Sequence, residues 1–295
     1  MVGKVIKFLV MVVIVVNVVI IAYVFLGGST PPPRPMPNPN GYDDFVKAGK
    51  MVIGNPSTND TMSQAELEAL IATNSNTLKL VRLGLSRECR EPVEYSTNYT
   101  VQLLPELGSL KQLIFLLLAE GRLAELNGST NDAAAIYLEG VRFGEELGHG
   151  GLVISGLVSV ACESGAMSRL QRLTNCVTAV KCREISEVLE TIDDREEPIA
   201  DTLAQERLWS WKTFGLRGQI ESLLMYKQRA NTKARVVAKI QKTQLKRRQL
   251  ILDFAARAYE LEKGKPPQSA ADLVPDYLKA VPKDPVTGND IGLGK

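Results

Sequence analysis

The sequence predicts an all-α protein held on an N-terminal transmembrane helix, and three observations carry that expectation. Residues 8–26 form an apolar run whose one strongly polar side chain is Asn17, with lysines before it and prolines after it. From residue 63 onward the apolar positions recur with a period near 3.6 wherever a period can be read. After Gly41 no Asn-Gly or Asp-Gly pair stands between alternating apolar and polar residues, which is the strongest short-range signal for a β-hairpin.

The apolar run comes first. At roughly 1.5 Å per residue it makes a helix of about 28 Å, close to the ~30 Å hydrocarbon core of a bilayer. A helix satisfies its own backbone hydrogen bonds, which lipid cannot do. Lys4 and Lys7 precede the run, and the next cation is Arg34, so the positive-inside rule places the N-terminus in the cytoplasm and the bulk of the chain on the outer side. Tyr23 and Phe25 at one end and Phe8 at the other suit interfacial aromatic positions. The alternative is a cleaved secretory signal, with Gly27 and Ser29 as a small-x-small site, although this run exceeds the usual h-region of about 7 to 15 residues. Both readings export the remainder.

Residues 29–40 read S-T-P-P-P-R-P-M-P-N-P-N, and repeated prolines remove donors and favour an extended polyproline II path. The expected organisation is a cytoplasmic tip and anchor over 1–28, a stalk and irregular linker over 29–61 with one short helix near residues 43–48, a helical-hairpin domain over 62–228, and a long basic helix with a C-terminal clip over 229–295.

Within the hairpin domain, Ser63 and Glu66 form a capping box that opens a helix carrying Leu67, Leu70, Ile71, Leu78, Val81 and Leu85, interrupted near residues 74–76 and stopped before Pro92. Pro105 suits the start of the next helix, whose apolar face runs from Leu110 to Leu126 and ends at Asn127 and Gly128. Its very apolar patch, residues 110–118, is too short to span a bilayer and is expected in the core. Asn131 is the expected cap of a helix carrying Ala134, Tyr137, Leu138, Val141 and Phe143. Further helices follow over 150–177 and 181–195; residues 200–224 carry Trp209, Trp211 and Phe214, aromatics expected to seal a core or a domain junction, and a long helix follows over 232–263.

Charge is balanced overall, with 35 basic and 33 acidic residues, and nothing in that balance points to nucleic acid. Locally it is not balanced: residues 184–206 are strongly acidic, and residues 229–248 hold eight cations and no acid. Two such faces can lie against each other, and contact of the basic helix with anionic lipid is its sharper use. One histidine, His149, and four cysteines without a C-x-x-C pair cannot assemble the usual zinc sets. Cys89, Cys162, Cys176 and Cys182 are expected as buried thiols, with 176 and 182 the nearest pair for a disulfide.

Two resemblances follow from particular residues. Gly121, Gly128, Ala133, Tyr137 and Gly140 stand at the offsets of a tetratricopeptide unit within residues 114–147, with Leu117 where tryptophan is usual. The tail, with Tyr259, Gly264, Pro267, Leu273, Tyr277, Pro282, Asp284, Pro285 and Gly288, is similar to the segment that follows the long helix in type II secretion pseudopilins. The pseudopilin cleavage motif is missing around Lys7 and Phe8. Anchor, stalk, hairpin and tail together look like bacterial membrane-anchored helical proteins that end in such a P-x-D-P segment, a resemblance that implies no activity. Related pseudopilin loops can hold calcium, which directs attention to Asp284, Asn289 and Asp290.

No catalytic, cofactor-binding or metal residue is assigned, and no cofactor is expected. The leading expectation is a membrane-tethered, non-enzymatic helical protein, bound to the membrane through residues 8–26 and to another envelope protein through its exported domain. The alternatives are a component of a secretion or pilus-like assembly, and a carboxylate-based enzyme for which Glu206 is the first acid to consider. A cavity with two convergent carboxylates would favour the enzyme.

Overall fold

The computed structural model of the chain describes Met11, Val12, Val15, residues 34–224 and residues 226–293. The expected transmembrane run over 8–26 lies outside the described residues apart from those first three. Among the described residues every regular element is helical: α1 (Gly41–Met51), α2 (Gln64–Thr73), α3 (Ser75–Leu85), α4 (Tyr99–Leu126), α5 (Thr130–Glu146), α6 (Val153–Arg172), α7 (Ala179–Arg195), α8 (Ile199–Leu224) and α9 (Tyr226–Lys263). No strand occurs among them, and the one β-bridge joins Lys283 to Asp290.

The short helix expected near residues 43–48 is present as α1, Gly41–Met51. Asn40 caps it by accepting from the Tyr42 N–H, and its amide also brackets the Arg90 backbone through Nδ2 to O at 2.8 Å and N to Oδ1 at 3.0 Å. Tyr42, Phe45 and Ala48 are buried, so part of the stretch expected as a linker belongs to the core. One apolar cluster continues from Tyr42 to Leu278 and includes residues of the hairpin helices, the long helix and the tail.

Ser63 and Glu66 form the capping box of α2. The break near residue 74 is a single residue deep: buried Asn74 donates to the carbonyls of Ile53 and Leu70 and accepts from the Ile53 N–H, which ties the α2–α3 corner to the end of α1. Pro105 does not start α4. The helix begins at Tyr99, and the burial of Tyr99 and Leu103 carries it through the proline, at the loss of one backbone hydrogen bond. At 28 residues α4 is long and apolar enough to cross a membrane, so length does not decide its place; burial does. Leu110, Leu113, Leu116 and Leu117 are fully covered by the surrounding helices.

The α4–α5 hairpin turns at Gly128, whose φ of 77° is left-handed and favours glycine. Asn131 is not the cap of α5, which begins at Thr130; its side chain instead accepts from the Thr178 N–H ahead of α7. Close approach across α4, α5 and α6 needs missing side chains. A Cβ on Gly121 would stand 2.3 Å from the Tyr137 ring, and one on Gly144 would stand 2.5 Å from the backbone nitrogen of Glu163. α7, capped by Thr178, packs along α9 and touches α5, and α9 also packs on α6, while α8 breaks at Gly215, where φ is 58° and ψ is −148°.

The tail returns along α9 as the sequence leads one to expect, although the short helix reduces to one 3-10 turn, Ala270–Leu273. Leu273, Tyr277 and Leu278 are buried against the helix that carries Phe254 and Tyr259. Tyr277 also donates to Glu262 at 2.8 Å and stacks under the Arg183 guanidinium at 4.0 Å.

Candidate functional site

The chemistry-bearing side chains gather where the end of α5, the start of α8 and the facing sides of α6, α7 and α9 meet. At the centre is Arg247, with 0% of its side chain exposed. Its Nη1 donates to Glu163 of α6 at 2.6 Å, its Nε to Asp193 of α7 at 3.0 Å, and its Nη2 to Glu196. Arg248 holds the other oxygen of Asp193 at 2.8 Å and donates to the Lys283 carbonyl at 2.6 Å, which ties the tail into the same network. The acidic and basic stretches of the sequence do therefore face each other, through the last two cations of the basic run. Burial pushes the Glu163 carboxyl up to about 7, against the pull of Arg247 and with the help of Glu196.

His149 stands at the corner after α5. Its Nε2 meets Glu145 at 2.5 Å and its Nδ1 meets Glu146 at 3.2 Å. Burial alone would lower the imidazole, but the two carboxylates more than reverse it and raise it to about 10. We assign an imidazolium, since both ring nitrogens face carboxylate oxygens. Glu145, Glu146 and His149 bring their ligand atoms within 4.8 Å of one another, the one such metal-capable group among the described residues. The paired imidazolium leaves no ring lone pair for a metal.

The neighbouring residue in the chain continues the network. Glu197 accepts from Arg34 at 2.6 Å, from Arg90 at 2.5 Å and from the Gly150 N–H at 2.9 Å. Arg34 also reaches Asp201 at 3.3 Å. Consecutive acids thus hold the long helix, through Glu196, and the end of the proline-rich segment, through Glu197.

Carboxylates also converge before α4. Tyr99 donates to Glu91 at 2.6 Å, Tyr42 donates to Glu106 at 2.9 Å, and burial with the Glu106 charge raises the Glu91 carboxyl. Glu94, Glu106 and Tyr99 line a cavity of about 110 Å³. That is room for a few waters, well below the roughly 300 to 1,000 Å³ of a typical substrate pocket. A second hollow beside Arg34, Arg90 and Glu197 holds about 20 Å³.

Glu206, the acid first considered for carboxylate chemistry, accepts from the Val153 N–H at 3.0 Å and so satisfies the first donor of α6. Asp284 accepts from the backbones of Thr287 and Val286, which hold its carboxyl below the usual range and close the tail turn. All four cysteines are free thiols, and Cys176 is exposed while the other three are buried. Sequence reasoning missed Glu163, whose place on α6 in a run of small and apolar residues carried no signal beyond a lone acid on an inward position. It passed over Glu91 as a helix stop. The network's acids and cations answer one another, so its evident chemistry is to lock helices α6, α7 and α9, the corner at Gly150 and the stalk end together. No family model, no curated protein and no solved structure matches this chain.

Proposed function

We propose that this chain is a single-pass membrane protein with a cytoplasmic N-terminus, whose exported helical domain is a non-enzymatic docking module for another envelope protein. The apolar run over 8–26 and the lysines before it support the tether and its direction. The close α4–α5 approach at Gly121 and Tyr137 supports a tetratricopeptide-like hairpin, a form whose use is to present helix faces to partners.

One observation carries the docking reading. Tyr95, Val101 and Leu104 are large apolar side chains left 40%, 69% and 57% exposed on one short segment. Glu94, Gln102 and Glu106 lie among them, so the matching partner surface is an apolar projection with basic residues at its edge. The test places a photocrosslinking side chain at Val101 in intact cells. A discrete adduct heavier than the 32.3 kDa chain is expected there and not from the same group at Val286 of the tail. No adduct at Val101, or equal adducts at both positions, overturns the reading.

A further inference from the structure

We infer that the exposed cation stripe Arg235, Lys239, Lys242 and Lys246 on α9 rests on the anionic headgroups of the membrane that tethers the chain. The inference rests on the tether proposed above. Steps of four, three and four residues place these side chains on one side of a helix, over about 16 Å of its axis. Arg235, Lys239 and Lys242 are exposed and, among the described residues, their side chains make no hydrogen bond or ion pair. Lys246, half-buried, donates to the Ser168 hydroxyl at 2.7 Å, and the adjoining part of α6 meets α9 through Ser164 and Thr243 at 3.3 Å. The neighbouring element thus offers hydroxyls and no carboxylate to the stripe. On the same side further along, Asp253 is taken by Gln249 at 3.0 Å.

The contrast within one helix is informative. Arg247 and Arg248 point into the bundle and are consumed by Glu163, Asp193 and Glu196, while the stripe keeps its charge uncompensated. Lys242 lies near enough to Lys246 that, with burial, it lowers that ammonium. A row of like charges costs free energy unless something outside the domain neutralises it.

The tether determines what is in reach. Seven residues separate the apolar run from Arg34, a span of at most about 25 Å even when fully extended. Arg34 lands on Glu197, and Arg247 lands on Glu196, so the stalk ends beside the inner end of the stripe. The stripe is therefore carried close to the bilayer surface. Phe214 and Leu216, 45% and 55% exposed at the Gly215 break of the preceding helix, suit the boundary between headgroups and acyl chains. A row of exposed cations on one side of a helix is the composition that anionic headgroups attract.

The experiment uses the full chain with Cys176→Ser, which removes its one exposed thiol, and Ala238→Cys, which places a polarity-sensitive fluorophore beside the stripe. The protein is reconstituted into vesicles of phosphatidylcholine alone or mixed with phosphatidylglycerol. A blue shift in the mixed vesicles is expected, absent in phosphatidylcholine and reversed by high salt or by Arg235→Gln, Lys239→Gln and Lys242→Gln together. At roughly 1 kcal/mol per cation near an anionic surface, the triple variant should weaken docking by about 100-fold or more. No shift in mixed vesicles that nevertheless carry the chain overturns the inference. So does a shift with soluble polyphosphate that mixed vesicles do not reproduce, since the stripe would then serve a free polymer. A chain that fails to float with phosphatidylcholine vesicles refutes the tether separately; flotation with anionic vesicles alone would still support the stripe, and flotation with neither would overturn both.

Discussion

Arg247 of α9 and Glu163 of α6 meet at 2.6 Å with 0% and 4% of their side chains exposed, so the centre of this helical domain is an ion pair inside a network of acids. Pairs of this kind contribute little net stability against an apolar alternative, because both ions lose their water. Breaking one is a different matter. Arg247→Leu leaves Glu163, Asp193 and Glu196 without their shared cation, and should destabilise the domain by about 3 to 5 kcal/mol. Thermal unfolding of the variant checks this, and a melting temperature equal to the parent's would show that the network carries no such load.

Two glycines distinguish backbone from side-chain crowding. A Cβ at Gly144 would meet the backbone of Glu163, which cannot turn aside, whereas a Cβ at Gly121 would meet the Tyr137 ring. Both Gly→Ala variants should be destabilised by roughly 1 to 3 kcal/mol, with Gly144→Ala the worse. Pairing Gly121→Ala with Tyr137→Leu should recover part of the loss, and chemical denaturation of the double variant measures it.

The tail is a structural clip on α9. Leu273→Ala should cost about 2 to 5 kcal/mol, since Leu273 is fully buried. Tyr277→Ala should cost a similar amount through its lost ring packing and its hydrogen bond to Glu262. Lys283→Ala keeps the carbonyl that Arg248 uses and should stay within about 0.5 kcal/mol of the parent. Variants at Leu273 and Tyr277 that melt like the parent but lose a membrane partner would make the segment a docking surface instead.

His149 gives a pH dependence with a definite sign. Its folded-state value of about 10 lies above the ordinary value of 6.5, so the stabilisation it brings is complete below about 6.5 and is lost as pH rises through about 10. His149→Gln removes the imidazolium, and the difference in stability between parent and variant should shrink steadily across that window. A difference that stays constant from pH 6 to pH 10, both values read against the ordinary histidine range, would mean that His149 is neutral in the fold.

What the sequence made legible was what periodicity and local chemistry control. The inward faces of α2 to α7, the capping box at Ser63 and Glu66, and the burial of Leu273, Tyr277 and Leu278 were all readable from spacing. Long-range pairing was readable only as a tendency of one acidic and one basic stretch to meet. Which cations would turn inward depended on helix rotation, and Glu163, about thirty residues before Asp193 on another helix, had no local partner to reveal it. Pro105 misled because tertiary burial of Tyr99 and Leu103 outweighs one lost hydrogen bond. Arg34 was read only as the first cation after the apolar run, and its landing on Glu197 and Asp201 could not be seen without the fold.

The most direct test of the central claim uses Cys176, the one exposed thiol of the described domain. Intact spheroplasts treated with a membrane-impermeant maleimide should label Cys176 without lysis, and the labelled full-length chain should stay in the membrane pellet after carbonate extraction. Labelling that requires lysis, or release of the chain by carbonate, would contradict an exported domain on an N-terminal membrane tether.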